Sequence, residues 1–115
     1  TKFKNSNDIA NALIEMIIYY DVLNGWVGNR GRVVAELVAE ILCPELNKGK
    51  HVPLSKYINF LRKRGVNSSI LENLETLKTL GNYASHVHGI SDEEKEIVID
   101  KVIVIVEYIL KNKIE

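Results

Sequence analysis

Apolar residues recur at every third or fourth position in five segments of this chain, and this spacing constrains the fold more than any other feature. A period near 3.6 residues places such side chains on one face of an α-helix. Glycine, proline and asparagine separate the segments, and the connections are short. The sequence therefore predicts an all-α fold, a compact bundle of about five helices.

Local signals place the ends of these helices. We expect helices over about 7–23 and 31–42, and a third from near Pro53 to Gly65. A fourth is expected to begin after Asn67-Ser68-Ser69 and to continue to about 86 or 88, capped by Gly89, and a fifth opens at Ser91. Ser91 and Glu94 have the spacing of a capping box. The glycine-rich segment 25–31 lacks the Lys-Ser/Thr pair of a phosphate-binding P-loop, so we interpret it as a connecting loop.

Two helices have informative faces. The first predicted helix has an apolar face, formed by Ile9, Leu13, Met16, Ile17 and Tyr20. In the fourth helix, Gly81 and Ala84 lie on the apolar face. A glycine inside a helix costs about 1 kcal/mol relative to alanine. We therefore expect another helix to approach closely at this point.

Size and composition indicate one small domain over residues 1–115. The start at Thr1 fits either removal of an initiator methionine or a domain cut from a longer protein. The 15 basic and 15 acidic residues cancel, so no global field attracts nucleic acid or a membrane. The one cysteine, Cys43, cannot form an internal disulfide and is expected to be a packed thiol.

No segment of the sequence has the pattern of a signal peptide or of a membrane span. The N-terminus lacks an apolar core, and the stretch 97–110 is too short to cross a bilayer and contains three charged residues. We expect a cytoplasmic protein with no membrane partner. Because no cysteine pair or carboxylate cluster with metal-ligand spacing is present, we expect no metal and no cofactor.

The fifth helix is apolar on more sides than a surface helix should be. Ile97, Val104 and Tyr108 interrupt its polar stripe at the seven- and four-residue spacing of a helix pair. Either this helix lies at the centre of the bundle, or these three residues form an interface with another chain.

A basic segment precedes the fourth helix. Between residues 47 and 71 the chain has no acidic residue, and it carries the candidate nucleic-acid-binding residues Lys56, Arg62, Lys63 and Arg64. The alternative is a solvated helix face that binds nothing.

A polar stripe on the fourth helix holds the candidate chemistry. Lys78, Asn82 and His86 follow each other at four-residue intervals, so a cation, an amide and an imidazole share one side of a helix. His86 could act as a general acid or base, while Lys78 stabilises charge on a phosphate. The alternative is a solvated stripe whose His86 interacts with the helix dipole.

The segment 77–86 resembles the Leu-Arg-x-x-Gly-Asn-x-x-x-His signature of a domain family of unknown function. This family belongs to the HEPN-like superfamily (higher eukaryote and prokaryote nucleotide-binding). The segments 32–36 and 54–61 and the long apolar last helix are similar to the family's other helices. The resemblance covers roughly residues 30–112.

The resemblance implies a helical bundle, commonly a homodimer, in prokaryotic defence or toxin-type proteins. Active HEPN ribonucleases cleave RNA without a metal by an Arg-polar-x-x-x-His motif. Here Asn82 and His86 match that motif, but Gly81 stands where its arginine belongs, and Lys78 replaces the signature's arginine.

The sequence leaves three functions open. The first is a HEPN-like dimerisation or binding module whose partner is a second copy or another protein. The second is a metal-independent endoribonuclease that uses His86 with Lys78 and Asn82. The third is nucleotide or RNA binding without cleavage.

Overall fold

The chain folds as an all-α bundle, as predicted. The computed structural model describes the backbone of residues 2–18, 26–47, 49–86 and 90–113, and the side chains of 7–18, 27–47, 49–84 and 90–111. The helices are α1 (Lys2–Ile18), α2 (Trp26–Leu42), α3 (Leu54–Lys63), α4 (Ser68–His86) and α5 (Asp92–Lys113), with a 3₁₀ turn at Pro44–Leu46. The described residues contain no strand.

Helix α2 lies at the centre of the bundle. It contacts each of the other α-helices, whereas α5 packs against α2 and α4. Val27, Val34 and Val38 of α2 are fully buried. The alternative in which the fifth helix is central is therefore wrong, and the apolar residues on the outer side of α5 need a different explanation.

The predicted loop at 25–31 is wrong over its described residues, because α2 already begins at Trp26. A Cβ atom built at Gly28 would lie 2.7 Å from the Cβ of Ala84, and one at Gly31 would clash with Val98. These glycines allow α4 and α5 to approach α2 closely. The packing that this approach permits offsets their cost of about 1 kcal/mol each in a helix.

Helix α1 differs in part from its prediction. It begins at Lys2, earlier than expected, and its buried positions are Ile9, Ala12 and Met16. Ile17, predicted for the apolar face, is 76% exposed. The small residue Ala12 lies on the buried face with Ile9 and Met16, at three- and four-residue spacing. Tyr20 lies outside the described residues.

The starts and stops of the later helices are confirmed. Pro53 precedes α3, and Gly65 ends it with a φ of 80°, a value that L side chains rarely adopt. The backbone N–H of Ser91 donates to Glu94 Oε1 at 2.9 Å, and the Glu94 N–H donates to Ser91 Oγ at 3.1 Å. This is the predicted capping box. Gly89, the expected cap of α4, lies outside the described residues.

Candidate functional site

A polar cleft lies where the start of α3 meets α2 and α4. Its volume is about 170 Å³. The lining residues are Arg32, Glu36, His51, Pro53, Leu54, Ser55, Lys78 and Asn82. The structure thus brings two residues of the predicted stripe together with side chains from two other parts of the chain. His86 is the last residue of α4, but its side chain lies outside the described part.

Arg32 reaches the cleft across the backbone of α4. A Cβ atom at Gly81 would lie 2.5 Å from Arg32 Cβ and 3.1 Å from its Cγ and Cδ. The glycine therefore leaves room for the stem of the arginine. The space beside Gly81 is thus filled by an arginine from α2.

Arg32 differs from the other arginines in that it forms no ion pair within the described part of the chain. Each of the others pairs with a glutamate: Arg30 with Glu15 at 3.6 Å, Arg62 with Glu75 at 3.6 Å and Arg64 with Glu45 at 2.6 Å. Within the described part of the chain, Arg32 has no such pair, and its Nε is buried without a hydrogen-bond partner. Buried donors are normally bonded, but the Nε of Arg30 shares this feature, so the missing ion pair is what distinguishes Arg32 from the other arginines.

Lys78 contributes a second cation at the cleft. Its Nζ lies 2.9 Å from Glu75 Oε1, and Glu75 also approaches Arg62. All three side chains are partly exposed, so water weakens these ion pairs. Glu36, half-buried, supplies the one carboxylate that lines the cleft among the described residues. The cleft therefore offers both cationic donors and an acceptor.

The predicted basic patch is divided by these ion pairs. Arg62 and Arg64 face glutamates, and Arg64 also lies 5.6 Å from the centre of the Phe60 ring. Lys56 and Lys63 are exposed and, being seven residues apart, lie on one side of α3. Their role in binding nucleic acid stays a prediction.

The predicted interface residues lie on the outer part of α5. Ile97 and Val104 are exposed, and Tyr108 is half-buried. Ile103 and Leu110 are exposed beside them and were missed by the sequence reasoning. Their seven-residue spacing was the available signal.

Several cleft residues were also missed as site residues. Arg32 and Glu36 are four residues apart on the polar side of α2, which is the signal that could have grouped them. His51 and Ser55 come from the start of α3 and its preceding loop. Nothing local in the sequence connects these two to α4.

Cys43 is a packed thiol, as predicted. It is fully buried, and burial together with the Glu45 carboxylate raises its pKa to about 11, despite an opposing effect from Arg64. At neutral pH it is protonated and therefore a poor nucleophile.

Two further features to consider are a metal site and a membrane-spanning helix. Among the described residues, no group of three or more histidine, cysteine, aspartate or glutamate side chains is placed to hold a metal ion. None of the described helices combines the length and apolar character needed to span a membrane.

In comparisons by sequence and by structure, no protein-family model, curated protein or solved structure matches this chain.

Proposed function

We propose that this chain is a HEPN-like binding module whose cleft between α2, α3 and α4 binds the phosphodiester backbone of single-stranded RNA. The observation that carries the proposal is Arg32, which forms no ion pair with a glutamate of the described residues and lies next to Lys78 in one cleft. The HEPN resemblance supports the choice of RNA. We also propose that the module acts in the cytoplasm and is part of a defence or toxin-type protein, a context that the resemblance implies.

The donor set fits a phosphodiester. The Nη groups of Arg32 can bond two phosphate oxygens at once, and Lys78 adds a compact positive charge. The Asn82 amide and the Ser55 hydroxyl are neutral donors that suit phosphate or sugar oxygens. Glu36 repels a phosphate but accepts a hydrogen bond from a ribose hydroxyl, which DNA lacks at the 2′ position. RNA satisfies all of these groups.

An extended strand fits better than a free nucleotide. The cleft is open to solvent, and the exposed Lys56 and Lys63 lie along α3, whose first turn lines the cleft. A strand that leaves the cleft along α3 would meet both lysines. Each phosphate contact adds to the salt dependence of binding.

The test is RNA binding, measured by fluorescence anisotropy over a range of salt concentrations. We expect affinity for a labelled single-stranded RNA to fall as salt rises. Arg32→Gln should weaken it about tenfold, the loss expected for one charge-assisted hydrogen bond. Arg30→Gln is the matched control, because it removes the same charge from the same helix, at a position outside the cleft. Equal losses in the two variants would contradict the proposal, as would competition by inorganic phosphate as effective as that by RNA.

The same material tests the ribonuclease hypothesis. Incubation of the RNA with protein in EDTA, beside His86→Ala, distinguishes binding from cleavage. On the binding proposal the RNA stays intact with both proteins. Cleavage that is lost in the variant would assign the His86 imidazole a role in general acid–base catalysis.

A further inference from the structure

The outer face of α5 carries exposed apolar side chains that no described part of this chain covers. Its exposed apolar side chains are Ile97, Ile103, Val104 and Leu110, with exposed fractions between 39% and 57%. Ile97 and Val104 form one edge of the face, and Ile103 and Leu110 form the other, since residues seven apart lie above one another. Two parallel apolar edges on one helix exceed the single scattered side chains of an ordinary surface.

A row of carboxylates runs between the two apolar edges. Asp100 and Glu107 lie between the edges, with Glu93 and Glu96 continuing the row toward the start of the helix, and all four are exposed. Lys111 is the exposed cation at the far end of the described face. Lys101 is half-buried. The surface therefore combines apolar edges with a net negative centre.

This charge pattern disfavours a second copy of the chain as the occupant. In a parallel pair of α5 helices, Asp100 would face Asp100 of the other copy. In an antiparallel pair centred between the two acids, Asp100 would face Glu107, whereas a centre nearer the end of the described helix would place Lys111 opposite Asp100. In every register, however, each copy brings four exposed carboxylates and one exposed lysine to the contact, so like charges come together at a cost.

A partner with the opposite charge removes this conflict. We propose that the outer face of α5 docks a basic amphipathic helix from another protein. Leucine-like side chains of the partner would cover the two apolar edges. Its lysine or arginine side chains would pair with Asp100 and Glu107. Docking of one amphipathic helix along a surface through anchors at helical spacing is an established mode of recognition.

The test uses a fluorescent synthetic helical peptide of leucine and lysine, in which a row of lysines lies between two rows of leucines on one face. Two control peptides accompany it: one with the same composition but no common helix face, and one with glutamate in place of lysine. We expect the full chain to bind the basic amphipathic peptide at least about tenfold more tightly than either control.

Variants of the chain locate the binding surface. Asp100→Lys should weaken peptide binding about tenfold, while Glu72→Lys, the same charge reversal at an exposed site on α4, should change it less than about twofold. Val104→Ser should also weaken binding, with Ile14→Ser on α1 as its control. All four sites are exposed, so circular dichroism is expected to show an unchanged fold.

Two results would overturn the proposal. One is equal binding of the amphipathic and scrambled peptides, or equal effects of Asp100→Lys and Glu72→Lys. The other comes from sedimentation of the chain alone. A dimer at micromolar concentration that Val104→Ser dissociates would make the surface a homodimer interface instead.

Discussion

Arg32 of α2 packs its Cβ, Cγ and Cδ against the backbone of Gly81 on α4, so closely that a side chain at position 81 would overlap it. This contact fixes two properties at once. It sets the separation of the two helices, and it holds the guanidinium stem beside the cleft that Lys78 and Asn82 line. The stability of the bundle and the proposed RNA site therefore depend on the same glycine.

Replacement of Gly81 by alanine should destabilise the protein. Alanine favours a helix by about 1 kcal/mol over glycine. However, the new Cβ would lie 2.5 Å from Arg32 Cβ, which belongs to the rigid base of that side chain. The helices must separate, and overpacking of this kind costs about 1–3 kcal/mol. We expect a lower urea midpoint and weaker RNA binding.

Thr79→Ala is the control for this substitution, because Thr79 is exposed on the same helix. Its free energy of unfolding should stay within about 0.5 kcal/mol of the parent value. A Gly81→Ala variant more stable than the parent would show that α2 and α4 approach less closely than described.

Glu75→Gln should strengthen RNA binding. Glu75 holds Lys78 at 2.9 Å and also approaches Arg62, so its carboxylate competes with phosphate for both cations. Exposed ion pairs of this kind are worth up to about 1 kcal/mol, which corresponds to a gain of up to about fivefold in affinity. Anisotropy at low salt measures it.

Glu72→Gln is the control that distinguishes the release of Lys78 and Arg62 from a general loss of negative charge. It removes one negative charge at an exposed position of α4, three residues before Glu75. If both variants strengthen binding equally, the ion pair with Lys78 does not restrain the site.

Helix starts that depend on residues close together in the sequence were predictable. Pro53 and the Ser91–Glu94 pair act through their own backbone or through atoms three residues away, so local sequence identifies them. The start of α2 was not predictable in this way. Gly28 and Gly31 resemble loop residues until the partners that pack on them are known, and those partners lie more than forty residues further along the chain.

The residues of the candidate site likewise divide into those that local spacing groups and those that only helix packing brings together. Lys78 and Asn82 share a face because four residues make about one helical turn, so their grouping was available from the sequence. Arg32, His51 and Ser55 join them through helix crossings alone. The arginine of the cleft could therefore be located only in three dimensions.

Loss of the capping box should cost measurable stability. Ser91→Ala removes the hydroxyl that accepts from the Glu94 N–H, and we expect the free energy of unfolding to fall by about 1 kcal/mol. Ser69→Ala is the matched control, because Ser69 is also exposed in the first turn of a helix, whereas its backbone N–H bonds Asn67 Oδ1. An equal loss in the two variants would argue against the cap.

Alkaline pH should destabilise the protein through Cys43. Its pKa is 9.0 when exposed and about 11 when buried in the fold. Below pH 9.0 both states keep the proton, so the contribution to stability is complete. Between these values the unfolded chain loses the proton first, and stability falls as pH rises, by about 3 kcal/mol at most.

Urea unfolding across this pH window, with Cys43→Ala beside the parent, measures the effect. Burial also raises the pKa of Tyr57, and the Cys43 thiolate adds to this effect, so the difference between the two slopes reports the thiol together with its coupling to Tyr57. The variant loses some packing at every pH, and its slope with pH rather than its absolute stability is therefore the readout. Parallel slopes would mean that the thiol ionises equally well in the folded and unfolded states. That result would contradict its complete burial and the effect of the Glu45 carboxylate.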